Sequence, residues 1–193
     1  MSDVAQKWDQ RYRDQDPEAA PPAEILCSHH HLLPRGGKAL DLAMGLGRNA
    51  IYLATLGFEV TGIDISPVAV QKAGELAARR GVPLTALVAD LEQYQIPPAS
   101  YVLIVDIAYL QHSLIPQIIA ALKPGGIVVF ETFTIEHLRF KPDFNPDYLL
   151  QPGELANLFR SLIPRYYWEG IQDNRRAVAT FIGQKPWRPP ASP

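Results

Sequence analysis

A glycine turn set between two apolar strands constrains this chain more than any other feature. Ala39, Leu40 and Leu42 read as a short buried strand, after which Gly45 and Gly47 let the backbone turn sharply and approach a ligand with no Cβ in the way. Ile51, Leu53, Ala54 and Leu56 continue the chain as a helix, and Gly57 stops it. Val60, Gly62 and Ile63 build a second strand, and Asp64 arrives at its carboxyl end, where a ribose diol can meet two carboxylate oxygens. A strand, a glycine turn, a helix and a strand ending in an acid together make a nucleotide pocket.

The rest of the chain extends this unit. Strand-like segments at 39–43, 58–63, 84–88, 101–106 and 126–132 alternate with helix-like segments at 48–56, 67–80 and 111–122, the pattern of a parallel sheet covered by helices. Ser66-Pro67 is an N-cap followed by proline in the first turn, and Gly81 closes the same helix. Before the core lie a helical opening segment carrying Trp8, Arg11 and Tyr12 on one face and a second helical stretch from Pro22 to Leu32. After it, Lys141–Pro146 reads as an irregular loop, Gly153 to Leu162 as a helix, and Arg165–Ile171 and Ala177–Gln184 as two strands joined by the polar turn 172–175. The expected architecture is α/β: a doubly wound, Rossmann-like, seven-stranded sheet, mostly parallel and ending in an antiparallel hairpin. We read 1–193 as one domain, with 1–35 a helical lid, 36–133 the cofactor-binding core, 134–185 a substrate loop and the hairpin, and 186–193 a proline-rich tail.

Composition narrows the function. A chain of 193 residues with 47% hydrophobic content can bury a sizeable core, roughly 70% of its unfolded surface. Its net charge of −2, with no basic run, offers no general attraction for nucleic acid or an anionic membrane. Cys27 stands alone, which excludes an internal disulfide and a cysteine-based metal cluster; together with the lack of a signal-peptide pattern or an apolar run of about 20 residues, this predicts a cytoplasmic protein. His29-His30-His31 does not make a metal site, because consecutive helical residues diverge by about 100°. Favourable charge near a helix C-terminus accounts for them better. Cys27, in an amphipathic stretch, reads as a small core residue.

Gly45-x-Gly47-x-x-Ala50, with Asp64 about the expected 20 residues on, also fits a dinucleotide fingerprint, so the glycines alone leave a nicotinamide cofactor open. Asp41 before the turn, Asp90-Leu91 after the third strand and Leu122-Lys123-Pro124-Gly125-Gly126 before the fifth are not required by such a site. With this set the chain resembles the class I S-adenosylmethionine-dependent methyltransferases, Asp41–Gly47 looking like their Asp-Leu-Gly-Cys-Gly-x-Gly loop. The resemblance covers about residues 36–133. Within the family the chain is most similar to the tellurite-resistance and thiopurine methyltransferase type, through Lys7–Tyr12, Gly47–Ala50 and Tyr148–Leu155. It departs from the pattern at Ala43 and Met44, where glycine and cysteine are usual. A methyl group at 43 either crowds the methionine end of the cofactor or is accommodated by a negative φ.

The resemblance implies roles for particular residues. The glycine loop, with Ala43, Gly45 and Gly47, passes under the methionine part of S-adenosylmethionine; Asp64, beside Ile65, binds the ribose hydroxyls; Asp90, beside Leu91, binds the adenine amino group. Asp41, following apolar residues, bonds to the glycine-loop backbone or reaches the cofactor ammonium. Arg48 pairs with the cofactor carboxylate or a substrate anion, or is simply solvated, and Trp8, Arg11 and Tyr12 fold over the cofactor as a lid. Asp106, at the end of the fourth strand, meets both donor and acceptor and, with His112, is a candidate for catalysis; Tyr109 and Glu131 lie close in sequence to the same edge. The expected reaction is methyl transfer to a small-molecule acceptor, a soft nucleophile such as a chalcogen oxyanion, a thiol or a thiopurine-like compound. A nicotinamide oxidoreductase and a non-catalytic S-adenosylmethionine-binding protein are the alternatives.

Overall fold

The computed structural model describes residues 3–187; the remainder of the proline-rich tail, 188–193, lies outside the described residues. Seven strands form one sheet in the order β3-β2-β1-β4-β5-β7-β6. They are β1 (Gly37–Leu42), β2 (Phe58–Asp64), β3 (Leu84–Val88), β4 (Tyr101–Ile107), β5 (Leu122–Phe133), β6 (Ile163–Gln172) and β7 (Arg176–Gln184). Strands β1 to β5 pair in parallel, and β7 enters antiparallel between β5 and β6. An all-parallel dinucleotide sheet contains no such reversed strand. The reversal follows from a tight turn at Asp173 and Asn174, both at positive φ, as a hairpin with right-handed strand twist requires.

Both faces of the central strands are covered, which is why β1 and β4 read as nearly continuous apolar runs. Leu40, Leu42, Ile104, Val128, Phe130 and Phe181 pack on one side, and Ala39, Leu103, Val105, Val129 and Ile182 on the other. The helices are α1 (Asp3–Arg13), α2 (Glu24–Ser28), α3 (Arg48–Thr55), α4 (Pro67–Arg80), α5 (Ile115–Ala121) and α6 (Glu154–Leu158). Helix α4 keeps the predicted ends: the Ser66 hydroxyl accepts from the Ala69 N–H at 3.1 Å, and Gly81 closes it in the left-handed conformation.

Several boundaries differ from expectation. The stretch 22–32 divides into α2 and a 3-10 turn at 30–32. Residues 112–114 form a 3-10 turn before α5 begins just ahead of Pro116, and β5 starts at Leu122, four residues early, opposite Tyr101 across a register shift. The helix expected over 153–162 is only α6, ending before Phe159 buries itself against Phe130 and Phe181. Cys27 is exposed rather than in the core, because Ile25 and Leu26 supply the buried face of α2. The histidines after it are engaged separately: His30 Nδ1 lies 3.0 Å from the Cys27 carbonyl, near the end of α2, and the His29 ring packs 4.1 Å from that of Tyr166.

Candidate active site

The carboxyl ends of β1, β2 and β4 bring three predicted acids to one edge of the sheet. Asp41, Asp64 and Asp106 are all buried. The turn between β1 and α3 is built by left-handed residues: Ala43 at φ +50°, Gly45 at +56° and Gly47 at +81°. Ala43 therefore does not escape through a negative φ. It takes the conformation glycine would take, with its methyl group packed against the core around Leu40 and Leu42. Met44, the second departure, is buried over Gly62, so close that any side chain at 62 would collide with its sulfur. Its N–H also bonds to the Ile63 carbonyl at 2.9 Å, fastening the turn to β2.

Asp64 is held with its two oxygens apart in role. Oδ2 accepts the Gly45 N–H at 2.8 Å, and Oδ1 accepts the Ser66 N–H at 2.9 Å. A carboxylate offers about four acceptor directions, so these bonds leave room for a ligand hydroxyl. Burial raises the pKa of Asp64 while the Ser66, Gly45 and Ile65 N–H groups oppose the rise. Asp41 accepts from the Ala50 N–H in α3, and burial nevertheless pushes its pKa up to about 7. Asp106 accepts from the Tyr109 N–H; burial first and the charge of Asp41 second hold its pKa well above the usual carboxylate range. Among the described residues, the buried side-chain oxygens and nitrogens without a hydrogen-bond partner are Asp41 Oδ2 and Asp106 Oδ1. Leaving such atoms unpaired is costly, about 1–3 kcal/mol or more each, so both suit a ligand that supplies donors or positive charge.

Helix α1 covers this edge. Trp8 and Tyr12 stack with ring centroids 5.6 Å apart, Arg11 lies over the Trp8 ring, and the Tyr12 hydroxyl packs against Gly45. Burial, then the charge of Asp64, raises the Tyr12 pKa to about 12. Two residues with no expected role, Asp9 and Lys72, fix the helix in place. The buried Asp9 accepts from the Ser66 hydroxyl at 2.5 Å and the Val68 N–H at 3.2 Å, at the start of α4. Lys72 donates to the carbonyls of Tyr12, Arg13 and Gln15 at 3.0, 2.6 and 2.8 Å, capping the end of α1.

The remaining candidates sit further out. Arg48 donates to the Pro21 carbonyl at 3.1 Å, and the Asn49 side-chain oxygen accepts the Ala23 N–H, so the start of α3 anchors the segment after α1. Asp90 caps its own turn by accepting the Glu92 N–H at 3.0 Å, and Leu91 is buried in the core. His112 is directed to Glu154, its Nε2 lying 2.8 Å from Oε1, which ties the loop after β4 to the start of α6. Glu131 is buried and meets Thr180 and Arg176, not the acids of β1 and β4. Two clefts of about 470 and 310 Å³ open at the opposite edge of the sheet, around Lys38, Thr61 and Tyr101 and around Leu33, Gly125 and Trp187, and are lined by none of the predicted site residues.

Comparison with known proteins agrees with this arrangement. A family model described as a methyltransferase domain matches residues 39–126. Hemagglutinin 1 of Eikenella corrodens is 35% identical over 129 residues, covering 59% of this chain and 42% of that protein. Ribosomal protein L11 methyltransferase of Symbiobacterium thermophilum is 35% identical over 96 residues, covering 49% and 32%. The chain thus spans less than half the length of either relative. The crystal structure of TehB from Haemophilus influenzae superposes with a TM-score of 0.72 at 20% identity, over 92% of this chain and 67% of that one. Residues 39–126 thus match a methyltransferase domain, and the chain has the α/β, Rossmann-like fold of a mostly parallel seven-stranded sheet ending in an antiparallel hairpin.

Proposed function

We propose that this chain is an S-adenosylmethionine-dependent methyltransferase whose acceptor is a small soft nucleophile: a thiol, a thiopurine-like compound or a chalcogen oxyanion. The observation that carries the reading is the set of acids around the glycine turn, with acceptor capacity left on Asp64 and unpartnered oxygens on Asp41 and Asp106. They suit a ligand with a diol at one end and the ammonium of an amino-acid head at the other. In this reading Asp64 accepts from the ribose hydroxyls, Asp41 from the ammonium and Asp90 from the adenine amino group. The Gly45 and Gly47 backbone supports the methionine chain, and Trp8 and Tyr12 close over it.

When bound, the cofactor supplies a sulfonium methyl group for in-line attack. The protein's contribution is to hold the acceptor in near-attack geometry, where well-oriented reactions gain on the order of 7–11 kcal/mol. Acid–base help from the acceptor side, where we place Asp106 and His112, matters only for an acceptor that must lose a proton. His112 has one ring nitrogen engaged by Glu154, leaving Nδ1 for that task.

Calorimetric titration with S-adenosylhomocysteine tests the reading. We expect saturable binding, weakened by about 1.5–3 kcal/mol in Asp64→Ala because a charged hydrogen bond is lost. A folded protein that gives no binding heat at millimolar ligand overturns it.

A further inference from the structure

We propose that the outer edge of β6 is a dimerisation surface, at which a second copy of this chain adds its own β6 antiparallel and joins the two sheets into one. The inference is independent of the cofactor reading above.

Strand β6 ends the sheet and, among the described residues, pairs only with β7, so one row of its backbone N–H and C=O groups faces outward along ten residues. Proteins ordinarily shorten such an edge or guard it with lysine or proline. The opposite edge, β3, obeys: it has five residues and follows Pro83. On β6 the guards stop at Pro164 and Arg165, at the bulge that shifts its register against β7. Beyond them the edge turns large apolar side chains to solvent, Tyr167 at 39%, Trp168 at 37% and Ile171 at 41% exposed.

This stretch is complementary to itself read backwards. Tyr166, level with Ile182, and Trp168, level with Thr180, lie on one face of the sheet; Tyr167, level with Phe181, and Glu169, level with Ala179, lie on the other. A twofold axis through Trp168 therefore sets like face against like face: Trp168 opposite Trp168, Tyr167 opposite Glu169 and Tyr166 opposite Gly170. The Tyr167 hydroxyl already donates to Glu169 Oε2 within the strand, at 2.5 Å, and across the axis the same donor and acceptor types meet between copies, twice over. Gly170 sets no side chain against the Tyr166 ring of the other copy.

Other registers fail. An axis through Glu169 opposes two carboxylates, and one through Tyr167 meets the bulge at Arg165 two residues on. The axis through Trp168 keeps residues 166–170 of each copy in regular pairing. Such a ladder is short, so association is weak and depends on concentration.

Light scattering from the full chain tests this. The wild-type mass should rise toward that of two chains as concentration approaches millimolar. Trp168→Lys, which opposes two ammonium groups on the axis, should stay monomeric while keeping the wild-type circular dichroism spectrum. In a Cys27→Ser background, Trp168→Cys should cross-link under diamide about tenfold faster, or more, than Ile171→Cys, whose two copies lie about 20 Å apart in this register, beyond disulfide reach. The cross-linking comparison decides the matter should Trp168→Lys not fold. A wild-type chain that stays monomeric up to millimolar concentration overturns the proposal. A dimer that a folded Trp168→Lys leaves intact, or equal cross-linking at 168 and 171, overturns it as well.

Discussion

At the scale of single residues, the turn after β1 shows how a local departure is absorbed. Ala43 occupies left-handed backbone, where a Cβ meets the following carbonyl at a cost of roughly 1–2 kcal/mol. Two further alanines share the conformation, Ala108 just beyond Asp106 at the end of β4 and Ala99 in the loop before β4, so the strain is not confined to this edge of the sheet. Ala43→Gly should therefore stabilise the protein by about 1 kcal/mol, the strain relieved less the greater freedom glycine gives the unfolded chain. Urea unfolding measures this; a loss of stability would mean that the methyl group's packing outweighs the strain. Met44 tells the complementary story: its side chain takes the space that Gly62 leaves on the neighbouring strand, so the two unusual positions are accommodated by different means.

At the scale of elements, α1 is held to α4 by polar contacts at both of its working ends, Asp9 on the start of α4 and Lys72 on the carbonyls that end α1. Lys72→Met keeps the aliphatic stem and removes three charge-assisted hydrogen bonds, each worth perceptibly more than a neutral one. We expect it to loosen the helix by about 1.5–3 kcal/mol and to speed tryptic cleavage after Arg11 and Arg13 at least severalfold, without unfolding the sheet. Unchanged cleavage would show that stacking of Trp8 on Tyr12 suffices to hold the lid. These contacts also mark the limit of what the sequence discloses. The alternation of strands and helices, the caps at Ser66 and Gly81, the turn at 173–174 and the acids at strand ends were legible because each depends on residues within a few positions of one another. Asp9 and Lys72 were not, since their partners lie 57 to 60 residues away. Nor was the conformation of Ala43, which the surrounding turn imposes against the residue's own preference. The exposure of Cys27 was misjudged because a five-residue helix has room for only one buried stripe, and Ile25 with Leu26 fills it.

At the scale of the whole molecule, the buried acids set how stability depends on pH. The folded pKa of Asp41 is near 7 and the unfolded value near 3.9, so the folded state binds more protons between them. A carboxyl raised in this way stabilises the fold below its unfolded pKa and loses that contribution as pH rises through the folded value; Asp106 and Asp64 act in the same direction. His137, buried against Phe133 and held below its ordinary pKa by burial, Lys141 and Arg176, acts oppositely, costing stability as pH falls below about 6.5. The ligand-free protein should thus become more stable from pH 8 down to pH 6.5, by on the order of 1 kcal/mol, or about 2–4 °C in Tm for a chain of this size. Asp41→Asn, which keeps an acceptor for the Ala50 N–H but cannot ionise, should flatten that slope. Thermal melts at the two pH values check both, and a Tm that falls on acidification over this range contradicts the assignment. A ligand that brings an ammonium to Asp41 reverses the trend, because the ionised carboxylate that weakens the empty protein at pH 8 is the one that receives it. The Tm increase produced by S-adenosylhomocysteine should therefore be larger at pH 8 than at pH 6.5.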